Sequence, residues 1–434
     1  MGARASAQHL AITLALFLAL PFLALLGADS DARASSMERD FVPGQIIVKL
    51  ASGVQIGQIN ASYDLRVDER FLNRKRTNIF LLHITDGSSV ENKLTEIGDD
   101  PLPLVEYAEP NFFAEAPEAG ARHRAFPADD AKPTSQSYSK GSSYPDSALN
   151  LSVARTISKG RGSTVAVLDT GAQLDHPALR ASFEGVARRD FVGDDKDPSE
   201  PRLAQTKERR KHEVVGHGTH VAGIVHLVAP EAKIMPLRVL NRKGNGNVFH
   251  IAEATSFADI KGADVINLSL GTPSRSRLLR EKVEEAIDDG AVVAAAAGNL
   301  STTSPDPPKP IYPAAGDGTA MPDDGLLAVT SVNAEEKRSG FANFGLWVDI
   351  AAPGESILST YPVNRYAYWE GTSMATPFVS GQAALIHVVE GSLDPSGIEE
   401  KIRCTARPLS EPLLGAGHAD VGASVSEVDG PQCH

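Results

Sequence analysis

Cysteine is nearly missing: Cys404 and Cys433 are the only two in 434 residues, so neither a cysteine metal cluster nor a disulfide scaffold can be built. One bridge can form at most, closing the C-terminal loop and adding about 2 to 4 kcal/mol in an oxidising compartment. Two unpaired thiols are the alternative. Positive charge is also short. There are 42 Lys and Arg against 55 Asp and Glu, a formal net charge of -13. A chain so acidic lacks the basic footprint that holds nucleic acid, and no nucleic-acid partner is expected. No internal run is long and apolar enough to cross a bilayer. With 42% hydrophobic and 22% charged residues the composition is that of a globular protein, and the length favours two or three units.

The one long apolar stretch is at the start. Arg4 and His9 precede a run from Leu10 to Leu26, and Ala32-Arg33-Ala34 supplies the small-x-small pattern that signal peptidase reads. Residues 1–34 read as a secretory signal, with an uncleaved anchor as the alternative because the run is long. Either way the remainder leaves the cytosol, and the expected location is secreted, extracellular or in the cell envelope.

Residues 38–117 carry a self-contained pattern. Gln45 to Leu50, Ile79 to Ile84 and Leu104 to Tyr107 read as strands, while Val90, Leu94 and Ile97 fall at helical spacing. A small α+β domain follows. Over 118–146 the composition shifts to Ala, Gly, Pro, Ser and charged residues without periodicity, a linker of the kind proteases cut. From 147 to 428 strands and helices alternate. Thr164 to Leu168, Lys233 to Leu240, Asp264 to Leu270, Ala291 to Ala297 and Leu327 to Val332 are apolar throughout, as strands buried on both faces are. The fold class predicted is α/β, a largely parallel sheet with helices on both faces, with ligands at the carboxyl ends of the strands.

Three motifs stand where that architecture would bring them together. Asp169 ends the first buried strand in Val167-Leu168-Asp169-Thr170-Gly171; His217 opens the helical segment Gly216-His217-Gly218-Thr219-His220; Ser373 enters an apolar helix from Gly371-Thr372-Ser373. A serine hydroxyl is a poor nucleophile near neutrality, so an imidazole must take its proton, and a buried carboxylate must hold that imidazole in the useful tautomer. Ser373, His217 and Asp169 fit these roles. Singly, each motif has a plain structural reading, Asp-Thr-Gly as a turn and His220 as a core histidine. Together, in the order Asp, His, Ser, they resemble the subtilisin-like serine protease family. The resemblance extends to segments without catalytic residues, such as Val228-Ala229-Pro230-Glu231-Ala232-Lys233-Ile234 and Phe341-Ala342-Asn343-Phe344-Gly345.

The resemblance implies a secreted serine endopeptidase working through an acyl-enzyme, with no cofactor needed for the chemistry. It implies that Asn299, in Ala297-Gly298-Asn299, joins the Ser373 backbone N–H in an oxyanion hole. It implies that Gly244, Gly246, Ser269, Leu270 and Gly271 clamp an extended peptide as an added strand. Ala296, Ala297 and Gly298 would wall the primary pocket with Ile311 at its base and Leu300 at a place often polar, and Val248, Ile251 and Leu270 would line the pocket four residues upstream of the cut. Residues 38–117, through Val105-Glu106-Tyr107-Ala108-Glu109-Pro110-Asn111, resemble the family's inhibitory propeptide, an intramolecular partner of a self-processing, monomeric zymogen cut somewhere in the linker.

Two departures from the family stand out. The loop that often holds calcium is cut down to Ile224-Val225-His226-Leu227, so that site is expected to be absent. Asp190, Asp194, Asp195 and Asp197 cluster ahead of His217 instead. They offer oxygen ligands near Asp190 and Asp195 to a weakly held calcium ion, with a solvated acidic loop as the alternative. A scaffold with a dead site, or an esterase, would be a competing function.

Overall fold

The computed structural model describes residues 40–71, 78–100, 104–119, 126–127, 143–201, 213–301, 306–316 and 324–426. The signal assigned to 1–34 and most of the linker lie outside the described residues. The N-terminal unit runs β1 (Phe41–Leu50), α1 (Ile56–Tyr63), β2 (Leu65–Arg70), β3 (Ile79–Ile84), α2 (Val90–Gly98) and β4 (Val105–Glu115). Its sheet has the order β2-β3-β1-β4, antiparallel throughout. Period-2 side-chain alternation divides β1 between two cores. Ile46 and Val48 pack with Ile59, Val90 and Ile97 from the unit's own helices, whereas Ile47 joins Leu81, Phe71 and Phe249 against the larger unit.

That larger unit continues with β5 (Phe126–Pro127), α3 (Ser143–Ala148), α4 (Leu151–Ile157), β6 (Thr164–Asp169), β7 (Arg189–Asp190), α5 (His217–Val228), β8 (Lys233–Arg238), β9 (Asn245–Asn247) and α6 (Val248–Ile260). It then runs β10 (Val265–Leu268), α7 (Arg277–Asp288), β11 (Val292–Ala296), β12 (Leu326–Val332), β13 (Ile350–Pro353), β14 (Ile357–Tyr361), β15 (Arg365–Trp369), α8 (Thr372–Val389), α9 (Pro395–Cys404) and α10 (Val421–Ser426). Seven strands form one parallel sheet in the order β13-β12-β11-β10-β6-β8-β7. Its two faces are legible residue by residue. Val165 and Val167 of β6 point into the core of α5 and α8, and Ala166 and Leu168 into the core of α6 and α7. This is why the strands read as unbroken apolar runs.

The two units are joined through α7 and the sheet edge. Glu109 of β4 caps α7: its carboxylate accepts from Ser276 Oγ (2.7 Å) and from the backbone N–H of Arg277 (2.7 Å) and Leu278 (3.1 Å). A carboxylate there satisfies helix N–H groups that have no partner within the helix and lies at the positive end of its dipole. Beyond Glu109, β4 pairs with β9 of the larger unit, Ala114 opposite Gly246. Cys404 is disulfide-bonded, and Cys433 lies outside the described residues.

Candidate active site

Asp169, His217, Ser373 and Asn299 come from four separate elements, and the parallel sheet gathers them. Asp169 is the last residue of β6; Asn299 follows β11; His217 and Ser373 stand in the first turns of α5 and α8. Asp169, His217 and Ser373 are fully buried. His217 Nδ1 lies 2.7 and 2.9 Å from the two Asp169 carboxylate oxygens. Gly218 lets the helix start pack this close to the Asp169 turn, because a Cβ there would lie 2.1 Å from Gly171 O and 3.0 Å from Asp169 Cβ. His220, three residues on, has a different fate. Its Nε2 is 3.1 Å from Ile357 O and 3.0 Å from Ala367 O, and burial drives its pKa down to about 3. It is a neutral core histidine.

Ser373 is held by an interrupted helix. Pro377 has no N–H to give the carbonyl four residues back, and Ser373 O accepts instead from Ser269 Oγ at 2.9 Å. Asn299 is equally fixed: its Oδ1 accepts from Thr372 N–H (3.0 Å) and Thr372 Oγ1 (2.9 Å), which turns Nδ2 toward the space in front of Ser373. Asn343 braces the same loop, donating to Ala297 O (2.8 Å) and accepting from Leu300 N–H (2.8 Å). In the sequence it stood only among non-catalytic family-like segments.

The cleft is filled by the chain itself. Glu115 exchanges two backbone hydrogen bonds with Gly271, both 2.9 Å, and Ala116 N–H donates to Gly244 O at 2.9 Å. Thus Gly244, Gly246 and Gly271 flank an extended strand of the chain's own N-terminal unit. Ala114 is buried in the cluster that holds Val248, Ile251 and Leu270. Ala296, Ala297 and Ile311 are buried, Ile311 packing between Gly271 and Gly298, while Leu300 stays 53% exposed at the rim.

Glu118 was missed by the sequence reading, which made it the first linker residue. It is buried, with Oε1 accepting from Asn299 Nδ2 (2.8 Å) and Oε2 from Ser373 Oγ (2.6 Å), and Oε2 lies 2.9 Å from His217 Nε2. Burial alone would lower the His217 pKa, but the charges and hydrogen bonds of Asp169 and Glu118 push it up to about 10. Burial would raise Glu118, and the hydrogen bond and charge of His217, with Ser373 and Asn299, hold it below the usual carboxylate value. Nothing local in Ala116-Pro117-Glu118-Ala119 marks this residue.

The acidic loop is braced by its own ion pairs and turns. Asp190 Oδ2 pairs with Arg238 (2.6 Å), its Oδ1 accepts from the N–H of Val192 and Gly193, and Asp194 pairs with Arg189 (2.6 Å). Asp195 caps a turn through Asp197 N–H (2.7 Å). Arg238 already supplies a cation to the buried Asp190, the residue at which a calcium ion was expected.

Comparison with known proteins agrees with this geometry. Residues 160–422 match the subtilase family, and residues 27–111 match the fervidolysin N-terminal prodomain. The chain is 31% identical over 377 residues to a thermophilic serine proteinase of Bacillus sp. (strain AK1), covering 82% of this chain and 81% of that one. To thermitase of Thermoactinomyces vulgaris it is 35% identical over 283 residues, 63% of this chain and 91% of that one. The crystal structure of fervidolysin from Fervidobacterium pennivorans superposes with a TM-score of 0.72 at 22% identity, covering 91% of this chain and 62% of that one, a likeness of fold. With its prodomain ahead of an α/β peptidase domain, the chain belongs to the subtilase family and is a serine-type endopeptidase.

Proposed function

We propose that the chain is a secreted endopeptidase made as a self-processing zymogen, with Asp169, His217 and Ser373 as its triad and Asn299 as an oxyanion donor. The observation that carries this reading is the buried His217 ring, held by Asp169 at Nδ1, while its Nε2 converges with Ser373 Oγ and Asn299 Nδ2 on one carboxylate, that of Glu118. A peptide enters the groove as a strand between Gly244 to Gly246 and Ser269 to Gly271. Ser373 Oγ attacks the carbonyl carbon while its proton passes to His217 Nε2, and the oxyanion is stabilised by Asn299 Nδ2 and the Ser373 N–H at its helix N-terminus. The C–N bond then breaks, the leaving amine takes the proton from His217, and water hydrolyses the acyl-enzyme by the same steps. The N-terminal unit inhibits the site in the uncut monomer, and residues 1–34 direct export.

The experiment is fluorophosphonate labelling and peptide hydrolysis with the wild-type and Ser373→Ala chains. Labelling at Ser373, with hydrolysis and cleavage between the units lost in Ser373→Ala, is the expected result. A Ser373→Ala chain that still matures when purified would refute self-processing, and an unlabelled wild-type chain would return the dead-scaffold reading.

A further inference from the structure

The substrate-like run of the N-terminal unit leaves the cleft just before the catalytic centre. Ala116 still bonds to Gly244, but the next residues fold back, because Ala119 N–H donates to Ala116 O (2.8 Å) and closes a turn over Pro117 and Glu118. What enters the centre is a side chain. Glu118 reaches Asn299 with one oxygen and both Ser373 and His217 with the other. Gly371 leaves room for it: its φ is +149°, and a Cβ there would stand 2.8 Å from Glu118 Cδ.

We propose that Glu118 is a carboxylate latch: its side chain, and no peptide bond, occupies the oxyanion pocket of the uncut chain and holds it inactive. The proposal rests on the roles given above to Ser373, His217 and Asn299. Three consequences follow from the contacts. The Ser373 hydroxyl proton is donated to Glu118 and not to His217, so the imidazole is not placed to take it. His217, between two carboxylates, keeps a proton on each nitrogen and has no lone pair to offer. The turn also withdraws the bonds on either side of Glu118 from attack. A cut made beyond Ala119 would leave the released N-terminal unit with its latch in place as a bound inhibitor. A buried carboxylate is tolerated here because an imidazolium and two donors surround it, where an unpaired one would be strongly destabilising.

The test is the rate of fluorophosphonate labelling in freshly purified full-length chains, scored only on the intact band. Glu118→Gln and Glu118→Ala are compared with wild type and with Glu106→Gln, which removes the contacts of Glu106 with Lys49 and Arg277 at the unit boundary and leaves the carboxylate of Glu118 alone. Both Glu118 variants are expected to label at least about tenfold faster, with Glu106→Gln within about threefold of wild type, tenfold being a barrier change of about 1.4 kcal/mol. Glu118→Gln keeps the side-chain volume, so a failure of Glu118→Ala to fold leaves the comparison standing. Wild-type rates in both Glu118 variants, or equal acceleration by Glu106→Gln, would overturn the latch. If a protease-trimmed wild-type chain labels while the intact Glu118 variants do not, the latch alone falls. If no form labels, the catalytic assignment falls and the latch with it.

Discussion

A Cβ on Gly298 would lie 2.8 Å from Ile311 Cγ1, so the isoleucine occupies the space that the glycine leaves open beside the pocket wall. The same side chain is in close contact with Gly271 on the opposite side, and it is only 7% exposed. As the primary pocket, a space so filled is expected to take a short apolar side chain only, because a charged one would be buried without a partner. Small residues before the cut are therefore expected, with Lys and Arg rejected. Ile311→Gly should raise kcat/KM for substrates with Phe at that position by about 30-fold or more, since burying such a ring is worth about 2 to 3 kcal/mol. A peptide series in which wild type prefers Lys, or in which Ile311→Gly gains nothing with Phe, would defeat this.

Much of the site was legible because its residues sit where local patterns end. Asp169 closes a strand of continuous apolar residues, and His217 and Ser373 begin helices marked by glycine. Gly244, Gly246 and Gly271, which the resemblance made a substrate clamp, stand beside the chain's own strand β4 and the turn after it. What escaped was set by long-range contact. β2 is polar, Leu65-Arg66-Val67-Asp68-Glu69-Arg70, and is a strand only because β3 pairs with it. The extension of β4 through Glu115 depends on β9 lying beside it. Glu118 looks like a solvated linker residue until the turn at Ala119 aims it inward, and Glu200 is hidden for the same reason.

Glu200 comes from the long loop ahead of His217 and lies beneath the Asp169 turn. Its Oε1 accepts from Thr170 Oγ1 (2.9 Å) and Thr219 N–H (3.2 Å), and Thr170 Oγ1 in turn accepts from Gly218 N–H (3.0 Å). It thus ties the Asp169 loop to the first turn of the His217 helix. Its carboxyl is pushed above the usual range by burial and by the Asp169 charge, against the amide donors that lower it. Glu200→Ala should lower kcat by about tenfold with KM little changed, as loss of one buried hydrogen-bonded group costs about 1 to 3 kcal/mol. Glu200→Gln should restore most of the rate. An unaltered kcat in the Ala variant would show that the tie does not position the dyad.

The charge pair in the latched centre carries a pH signature. His217 is faced by Asp169 at Nδ1 and Glu118 at Nε2, with the Trp369 ring edge-on at 5.3 Å and neutral His220 on the same helix. A raised histidine pKa stabilises the closed form fully below 6.5, and that contribution is lost as pH rises through about 10. Glu118 has a lowered pKa, so its contribution is present above 4.5 and is lost as pH falls through the lowered value. Nitrogen NMR of His217 in the uncut Ser373→Ala chain should give a midpoint above about 9, against about 6.5 for an ordinary histidine. A midpoint near the ordinary value, or one unmoved by Glu118→Gln, would remove the ion pair from the account.

The acidic loop decides the response to calcium. Asp190 is 2% exposed, and its two oxygens are engaged by the Arg238 guanidinium and by two backbone N–H groups, so a calcium ion there would compete with Arg238. Arg238 ends β8, directly beside Asp169 in the sheet register, so the pair also anchors the loop that leads toward Glu200 and His217. Removing one partner of a buried pair strands the other, at a cost of about 3 to 5 kcal/mol. Asp190→Ala should therefore lower the melting temperature markedly, whereas excess calcium or a chelator should leave the wild-type melting temperature within about 2 °C, a shift worth about 1 to 2 kcal/mol for a chain of this size. A chelator that unfolds the chain, or calcium that raises its melting temperature by more than about 5 °C only while Asp190 is intact, would restore an ion to this loop and displace Arg238 from the role given to it.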